Sequence, residues 1–183
     1  MKIRETDIQG CFILEPTVFE DERGYFFESY NQKQFEKETG MQPFFVQDNQ
    51  SKSSRGVLRG LHYQHGKHAQ AKLVRVLEGE VLDVAIDVRP NSKSYGAVVS
   101  TRLSSENKNQ MFVPRGCAHG FVTLSESAIF FYKCDNFYNK MAEGGIIYND
   151  PAFGIDWILE DKELIISAKD KVLPTFAEAV PNF

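Results

Sequence analysis

The sequence predicts an all-β fold with short helices at its edges. Many short apolar or alternating segments follow one another at a spacing of about ten residues, with turn residues between them, which is typical of β-sandwiches and β-barrels. The chain contains 15 Phe and 7 Tyr but only 1 Trp, and aromatic side chains pack well on pleated strands. No helical segments alternate with the strands, so a doubly wound parallel sheet is excluded.

Turn residues mark where the predicted strands end. Gly66, Gly79, Pro90 and Pro114 all fall between apolar segments, as tight turns require. In chain order, the predicted strands are 44–50, 57–64, 72–78, 80–88, 97–103, 110–113, 119–124 and 128–134.

The stretch 81–88 shows the clearest alternation of apolar and acidic residues. Asp83 and Asp87 lie on one face of the predicted strand, and the other face carries Leu82, Val84, Ile86 and Val88. We therefore expect this strand to face the core on one side only.

Two helices are predicted at the edges of the fold. The first covers 29–39, begins at Ser29 as a cap and ends at Gly40, and the second lies around 174–179. The chain has no internal repeat and no linker-like change in composition, so residues 1–183 are predicted to form a single domain.

Composition excludes several classes of function. The 25 acidic and 21 basic residues are scattered along the chain, without the basic clusters that bind nucleic acid. No apolar run reaches the roughly 18 residues that span a bilayer, and the first ten residues lack a hydrophobic signal segment. We expect a cytoplasmic protein without membrane contact. Cys11, Cys117 and Cys134 are odd in number and widely spaced, which predicts reduced, mostly buried thiols.

The four histidines occur in two places, which invites a metal-site hypothesis. His62, His65 and His68 lie in one short stretch, and His119 lies in the sequence PRGCAHGF. A regular strand would point His62 and His65 to opposite faces, and residues 66–72 contain no Asp or Glu. The sequence therefore predicts no metal site.

His62 is the strongest candidate for chemistry. A lone histidine in a strand is usually a partly buried ring bonded to a carbonyl, but His62 lies close to Arg59 and Lys72, which concentrates cations around a titratable base. Arg59 and His62 would face opposite sides of a regular strand. Gly60 between them predicts a β-bulge that turns both side chains toward one cavity.

Two arginines suit a phosphate ligand. Arg59 and Arg23 are framed by apolar or aromatic neighbours, and a guanidinium group grips phosphate oxygens with two parallel hydrogen bonds. Tyr132 alternates with Phe130 and Cys134 on one strand face, where a tyrosine is most often a core residue whose hydroxyl finds a partner.

Seven stretches, in order, together resemble the dTDP-4-dehydrorhamnose 3,5-epimerase family over nearly the entire chain. They are DERGYFFE (21–28), QDNQSKSSRGVLRGLHYQ (47–64), QAKLVRVLEGEVLDVAIDVR (70–89), VPRGCAHGF (113–121), YKCDNFY (132–138), YNDPAFGIDW (148–157) and SAKD (167–170).

The resemblance implies a cupin-type jelly-roll antiparallel β-barrel, and a homodimer that exchanges N-terminal strands. It also implies a substrate, dTDP-4-dehydro-6-deoxy-D-glucose, whose C3 and C5 are both inverted to give dTDP-4-dehydro-L-rhamnose in dTDP-L-rhamnose biosynthesis. Neither a metal nor a redox cofactor is implied, because a proton beside a ketone can leave once its electron pair spreads onto the ketone oxygen.

Roles for individual residues follow from the resemblance. His62 is implied as the base, Asp170 as the group that orients its ring, and Tyr132 as the acid on the opposite face of the sugar. Lys72 is the candidate that stabilises the enolate oxygen. The residues implied in substrate binding are Arg23, Glu28, Gln47, Asn49, Arg59, Lys72, His119, Tyr138, Glu143 and Lys169, with Tyr138 stacked on thymine.

The chain departs from the family pattern at Gln50, Tyr148 and 139–145, and the last stretch contains Glu143 and directly follows Tyr138. Three alternatives stay open: a relative that inverts only C3 or only C5 of a related dTDP-linked keto sugar, a metal-dependent cupin oxygenase, and a sugar-binding cupin without catalysis.

Overall fold

The computed structural model describes residues 1–179, which form strands arranged in two large sheets and a hairpin. The helix α1 is Gln32–Thr39. The strands in this range are β1 Lys2–Glu5, β2 Phe12–Glu15, β3 Val18–Asp21, β4 Gly24–Phe27, β5 Gln47–Ser54, β6 Val57–Gln64, β7 Lys72–Glu78, β8 Glu80–Asp87, β9 Val98–Ser104, β10 Gln110–Val113, β11 Cys117–Thr123, β12 Ser127–Cys134, β13 Glu143–Gly145 and β14 Ile165–Ile166.

The two large sheets face each other across a shared interior, as in a jelly roll. The first sheet has the order β1-β2-β10-β7-β12-β5, and the second has the order β13-β6-β11-β8-β9. Strand β14 adds to β6 in parallel, whereas the ordered neighbours pair antiparallel. The strands β3 and β4 form a separate hairpin. The sheets enclose an interior without closing into one continuous barrel.

Most predicted strands are confirmed. The predictions 57–64, 72–78 and 110–113 match β6, β7 and β10, and most of the others differ by one or two residues at an end. The prediction 44–50 began too early, because the apolar residues before Gln47 precede the strand. The sequence missed β1 to β4, which have only 4 residues each and mix polar with apolar side chains.

The first helix is confirmed with a later start. Its cap is Asn31 instead of Ser29, since the Gln34 amide donates to the Asn31 side chain at 3.1 Å, and it ends at Gly40 as predicted. The second predicted helix is wrong. Over 174–179 the chain makes a turn in which the Ala179 amide donates to the Thr175 carbonyl at 2.8 Å. No helix within residues 1–179 has the length and apolarity to cross a bilayer.

The expectation for β8 was wrong, because both faces of this strand are buried. Its apolar face packs in an outer core with Trp157 and Ile146 of the segment that follows the sheets. Its other face points into the interior, where Val81 and Ala85 pack and where Asp83 and Asp87 are fully buried. Alternation in the sequence marked the two faces correctly but could not reveal that a later segment covers the outer one.

The β-bulge predicted at Gly60 is confirmed. His62 pairs with His119 and Arg59 pairs with Phe121, so Gly60 and Leu61 of β6 lie opposite the single residue between the paired positions of β11. The side chains of Arg59 and His62 consequently line the same cavity.

Gly60→Ala should destabilise the protein strongly. A Cβ at Gly60 would lie 2.6 Å from Gly120 Cα and 2.8 Å from the His119 carbonyl oxygen, and φ is +124°. Gly24→Ala is the matched control, since Gly24 has φ +122° and nothing within 4 Å of its Cβ position. In urea unfolding, Gly60→Ala should cost about 1–3 kcal/mol more than Gly24→Ala. Equal losses would show that β6 moves away from β11 at little cost.

Candidate active site

A cavity of about 630 Å³ lies in the interior between the two sheets. It brings together the four residues predicted for catalysis, His62, Lys72, Tyr132 and Asp170. The residues predicted for binding that line the same cavity are Asn49, Arg59, Lys72, His119 and Lys169. An adjoining cavity of about 240 Å³ adds Gln47, Tyr138 and Glu143 and shares His62, Lys72 and Tyr132 with the first. Together they form one elongated pocket.

His62 and Asp170 form a hydrogen-bonded pair across 108 positions of the chain, with 2.7 Å between His62 Nε2 and Asp170 Oδ1. Asp170 begins a short 3-10 helix, and its amide donates to the Ser167 hydroxyl at 3.1 Å. Burial by itself would raise the pKa of Asp170, but hydrogen bonds from His62, the Gly60 amide and Ser167 bring that pKa below its ordinary value.

The ionised state of Asp170 fixes which nitrogen of His62 can accept a proton. An ionised carboxylate has no hydrogen to donate, so Nε2 of His62 carries the hydrogen of the pair. In the neutral ring Nδ1 then holds the free lone pair. The His62 side chain is 37% exposed against 5% for Asp170, so the ring is accessible from the pocket while the carboxylate behind it is dry. This arrangement suits a general base.

Tyr132 and Lys72 belong to the first sheet, on the other side of the pocket from His62. Both side chains line the cavity, and Lys72 Nζ lies 6.0 Å from the centre of the Tyr132 ring. Burial raises the pKa of Tyr132, so its phenol keeps its proton, and burial lowers the pKa of Lys72. Base and phenol therefore approach a bound molecule from opposite sheets.

Polar groups line the adjoining cavity and its border with the first cavity. Lys169 Nζ donates to Glu143 Oε2 at 2.6 Å, and Tyr138 also hydrogen-bonds to Glu143. Gln47 accepts a hydrogen bond from the Tyr138 amide at 3.1 Å. The Tyr138 ring is half exposed at the mouth of this cavity, where a flat ligand ring can stack on it.

A family model described as dTDP-4-dehydrorhamnose 3,5-epimerase matches residues 5–178. The chain belongs to this epimerase family. The dTDP-4-dehydrorhamnose 3,5-epimerase of Salmonella typhimurium is 52% identical over 180 residues, which cover 98% of this chain and 98% of that protein.

Solved structures agree with the family and with the predicted cupin-like jelly roll. The dTDP-4-dehydrorhamnose 3,5-epimerase from Elizabethkingia anophelis is 59% identical, covers 97% of both chains and has a TM-score of 0.94. The dTDP-6-deoxy-D-glucose-3,5-epimerase from Legionella pneumophila, in complex with dTDP-4-keto-L-rhamnose, is 45% identical, covers 100% of this chain and 98% of that chain and has a TM-score of 0.92.

Two residues that the epimerase resemblance implied in binding lie outside the pocket. Arg23 and Glu28 belong to the β3–β4 hairpin region and line neither cavity. The Arg23 side chain is 84% exposed and pairs with Asp21 at 2.5 Å. Within a single chain, Arg23 and Glu28 therefore do not share a cavity with His62.

The histidines do not gather into a metal-ligand set. Within the described range, no three His, Cys, Asp or Glu side chains are placed to hold one ion. His119 hydrogen-bonds to Asp83, with 3.0 Å between Nε2 and Oδ1, and His68 hydrogen-bonds to Asn139 at 3.0 Å. All three cysteines are free and buried, as predicted.

The main residue that the sequence analysis missed is Asp83. Its alternation with apolar neighbours suggested a water-facing carboxylate, whereas it is fully buried beside the cavity wall. The available signal was its position inside the family stretch 70–89, but the period of a strand does not tell which face is the inside.

Proposed function

We propose that this epimerase inverts C3 and C5 of dTDP-4-dehydro-6-deoxy-D-glucose by removing and returning protons through an enolate, giving dTDP-4-dehydro-L-rhamnose. The observation that carries the proposal is the His62–Asp170 pair facing Tyr132 and Lys72 across one pocket. The identities of 45% to 59% with proteins that carry this activity in their names support it.

In the first step Nδ1 of His62 takes the proton from the carbon beside the 4-keto group. The electron pair of the broken carbon–hydrogen bond forms a carbon–carbon double bond, and the carbonyl pair moves onto oxygen. Asp170 stabilises the imidazolium that results, because its carboxylate already accepts from Nε2. No redox cofactor has a part in this step, since no electrons leave the substrate.

Lys72 stabilises the charge that develops on the ketone oxygen. Its ammonium lies in a buried part of the pocket, where a fixed positive charge acts more strongly than it would in water. Because the negative charge appears only as the proton leaves, this interaction favours the transition state over the bound substrate.

Tyr132 returns a proton to the carbon from the opposite face, which inverts the stereocentre. Its phenol is protonated and lies on β12 of the first sheet, whereas His62 lies on β6 of the second sheet. The same pair of groups serves C3 and C5 if the sugar turns within the pocket while the nucleotide stays anchored.

The nucleotide binds at the mouth of the pocket. Tyr138 stacks on thymine, Arg59 and Lys169 contact the diphosphate, and Gln47, Asn49 and Glu143 hydrogen-bond to the ligand. Two cations and an exposed ring within one pocket support this arrangement. The cytoplasmic location predicted from the sequence stays a prediction.

The active form is a homodimer in which the β3–β4 hairpin of one subunit completes the pocket of the other. Phe19 and Phe26 pair across the hairpin and are 63% and 70% exposed, which is an unusual exposure for two adjacent aromatic rings. The hairpin also carries Arg23, and Glu28 follows it directly. In the dimer these two residues reach the nucleotide of the partner.

Turnover in deuterated water should place deuterium at both C3 and C5 of the product. Each inversion exchanges the carbon-bound proton with solvent through His62 and Tyr132. Mass spectrometry counts the label and proton NMR locates it, with an incubation without enzyme as control. Label at only one carbon would establish a single-inversion enzyme, and no label above the control would leave a sugar-binding protein.

His62→Ala and Tyr132→Phe should each lower kcat by about 10²- to 10⁴-fold, with little change in the Kd of dTDP, because both groups meet the sugar carbons. His68→Ala and Tyr148→Phe are matched controls that remove the same groups outside the pocket, and both should keep near wild-type kcat. Stopped assays give kcat, and calorimetry gives the Kd. A parallel loss of dTDP affinity would assign these residues to binding.

Mixed dimers should test the exchange of hairpins. His62→Ala and Arg23→Ala subunits are each impaired alone, but a mixed dimer contains one pocket with native His62 and a native partner hairpin. Co-expression should restore about a quarter of the wild-type activity. The matched control pairs His62→Ala with Lys72→Ala, which lie in the same pocket and should restore nothing. No recovery in the first pair would place Arg23 in its own subunit's site.

A further inference from the structure

We propose that Asp83 is a positioning residue of the epimerase site, whose carboxylate orients His119 and maintains the ammonium form of Lys72. The inference rests on the proposed function, since it concerns the protonation of Lys72 and the orientation of His119 in the substrate pocket. Asp83 itself lines neither cavity, so it acts through these two neighbours.

The geometry around Asp83 is that of a buried carboxyl group with only one of its two oxygens hydrogen-bonded within the described range. Asp83 is fully buried on β8, and its Oδ1 lies 3.0 Å from Nε2 of His119 on β11. Within the described range, Oδ2 is buried and has no hydrogen-bond partner. A buried carboxylate that is only half satisfied destabilises the fold. Packing alone therefore does not account for an acid at this position.

A second carboxylate on the same strand shows what a structural acid looks like. Asp87 is equally buried but accepts hydrogen bonds from the Arg89 guanidinium and from the hydroxyls of Ser92 and Ser94. These partners bring the pKa of Asp87 below its ordinary value, even though burial opposes them. Asp83 has no comparable set of donors, and the cations that act on it belong to the pocket.

Lys72 is one neighbour whose charge is affected by Asp83. Burial lowers the pKa of Lys72, whereas the charges of Cys134 on β12 and Asp83 on β8 raise it. The Tyr132 ring on β12 also faces its ammonium. Of these groups, Asp83 is the carboxylate, so it opposes the loss of the Lys72 proton as the pH rises. Without that charge, Lys72 would become neutral at a lower pH and could no longer stabilise an enolate.

His119 is the second neighbour that Asp83 controls. With Asp83 ionised, Nε2 of His119 must carry the hydrogen of their hydrogen bond, which fixes the tautomer of a ring that lines the pocket. Burial, the largest effect, keeps the pKa of Asp83 above its ordinary value, and His119 on β11 and Lys72 on β7 oppose that rise. The buried thiol of Cys11 also lies within its field. Asp83, His119 and Lys72 thus form one cluster that connects the buried carboxyl group to the pocket.

Asp83→Asn tests the proposal, because it removes the charge with little change in volume. At pH 8 kcat should fall about tenfold or more, KM should stay within about threefold, and the alkaline limb of the kcat profile should move to lower pH. Asp87→Asn is the matched control from the same strand. It should lower Tm but leave the kcat per folded enzyme and both limbs of the profile at their wild-type positions.

Two results would overturn the proposal. One is an Asp83→Asn enzyme whose alkaline limb and kcat equal those of the wild type. The other is a limb shift of the same size in Asp87→Asn, which would show that loss of any buried charge on β8 has this effect. If the wild-type protein places no deuterium in the sugar, the proposed function is contradicted. If the wild type is active but the Asp83→Asn pH profile is not shifted, only the role of Asp83 is contradicted.

The wild-type protein offers a second measurement that does not depend on folding of the variant. In protein labelled with ¹⁵N-histidine, NMR should show His119 with a hydrogen on Nε2 from pH 6 to pH 9, in the presence and absence of dTDP. A ring that carries its hydrogen on Nδ1 alone would mean that Asp83 does not hold it, and would overturn the proposal.

Discussion

The contact between Asp170 and β6 is the interaction on which the site depends. Asp170 accepts hydrogen bonds from both the His62 ring and the Gly60 amide, so it contacts β6 within the bulge and directly after it. The bulge turns His62 and Arg59 to the same side, and the carboxylate then fixes the direction of the His62 lone pair. A regular β6 would separate the base from the phosphate-binding cation, and a chain without Asp170 would leave the ring free to rotate.

The electrostatics of the pocket follow from the two-sheet architecture. The second sheet provides the base with its buried acid, and the first sheet provides the phenol and the ammonium. Both sheets are covered on their outer faces, by α1 on one side and by the segment after β13 on the other, and these faces are therefore shielded from solvent. Burial consequently raises the pKa of Tyr132 and lowers the pKa of Lys72, and small changes in buried charge alter such values further.

Much of the fold and most of the site could be predicted from the sequence, for different reasons. Strands such as β7 and β10 were predictable because apolar residues and turn residues are local signals. The His62–Asp170 pair is not local, so only the resemblance to the family could suggest it. Asp83 was misplaced because alternation separates the faces of a strand without telling which is the interior. The hairpin was missed because its 4-residue strands pair only with each other.

The segment that covers the second sheet is synthesised last, and this order affects when the site can form. Residues 146–179 leave the ribosome after every strand of both sheets except β14, and they carry Trp157, which shields the second sheet, as well as Asp170. A nascent chain that has formed both sheets thus still exposes an apolar surface on the second sheet. Its His62 ring also lacks the hydrogen bond to Asp170 that orients it. Burial of this apolar surface and orientation of the His62 ring are therefore expected to occur together in each subunit, when the last segment folds.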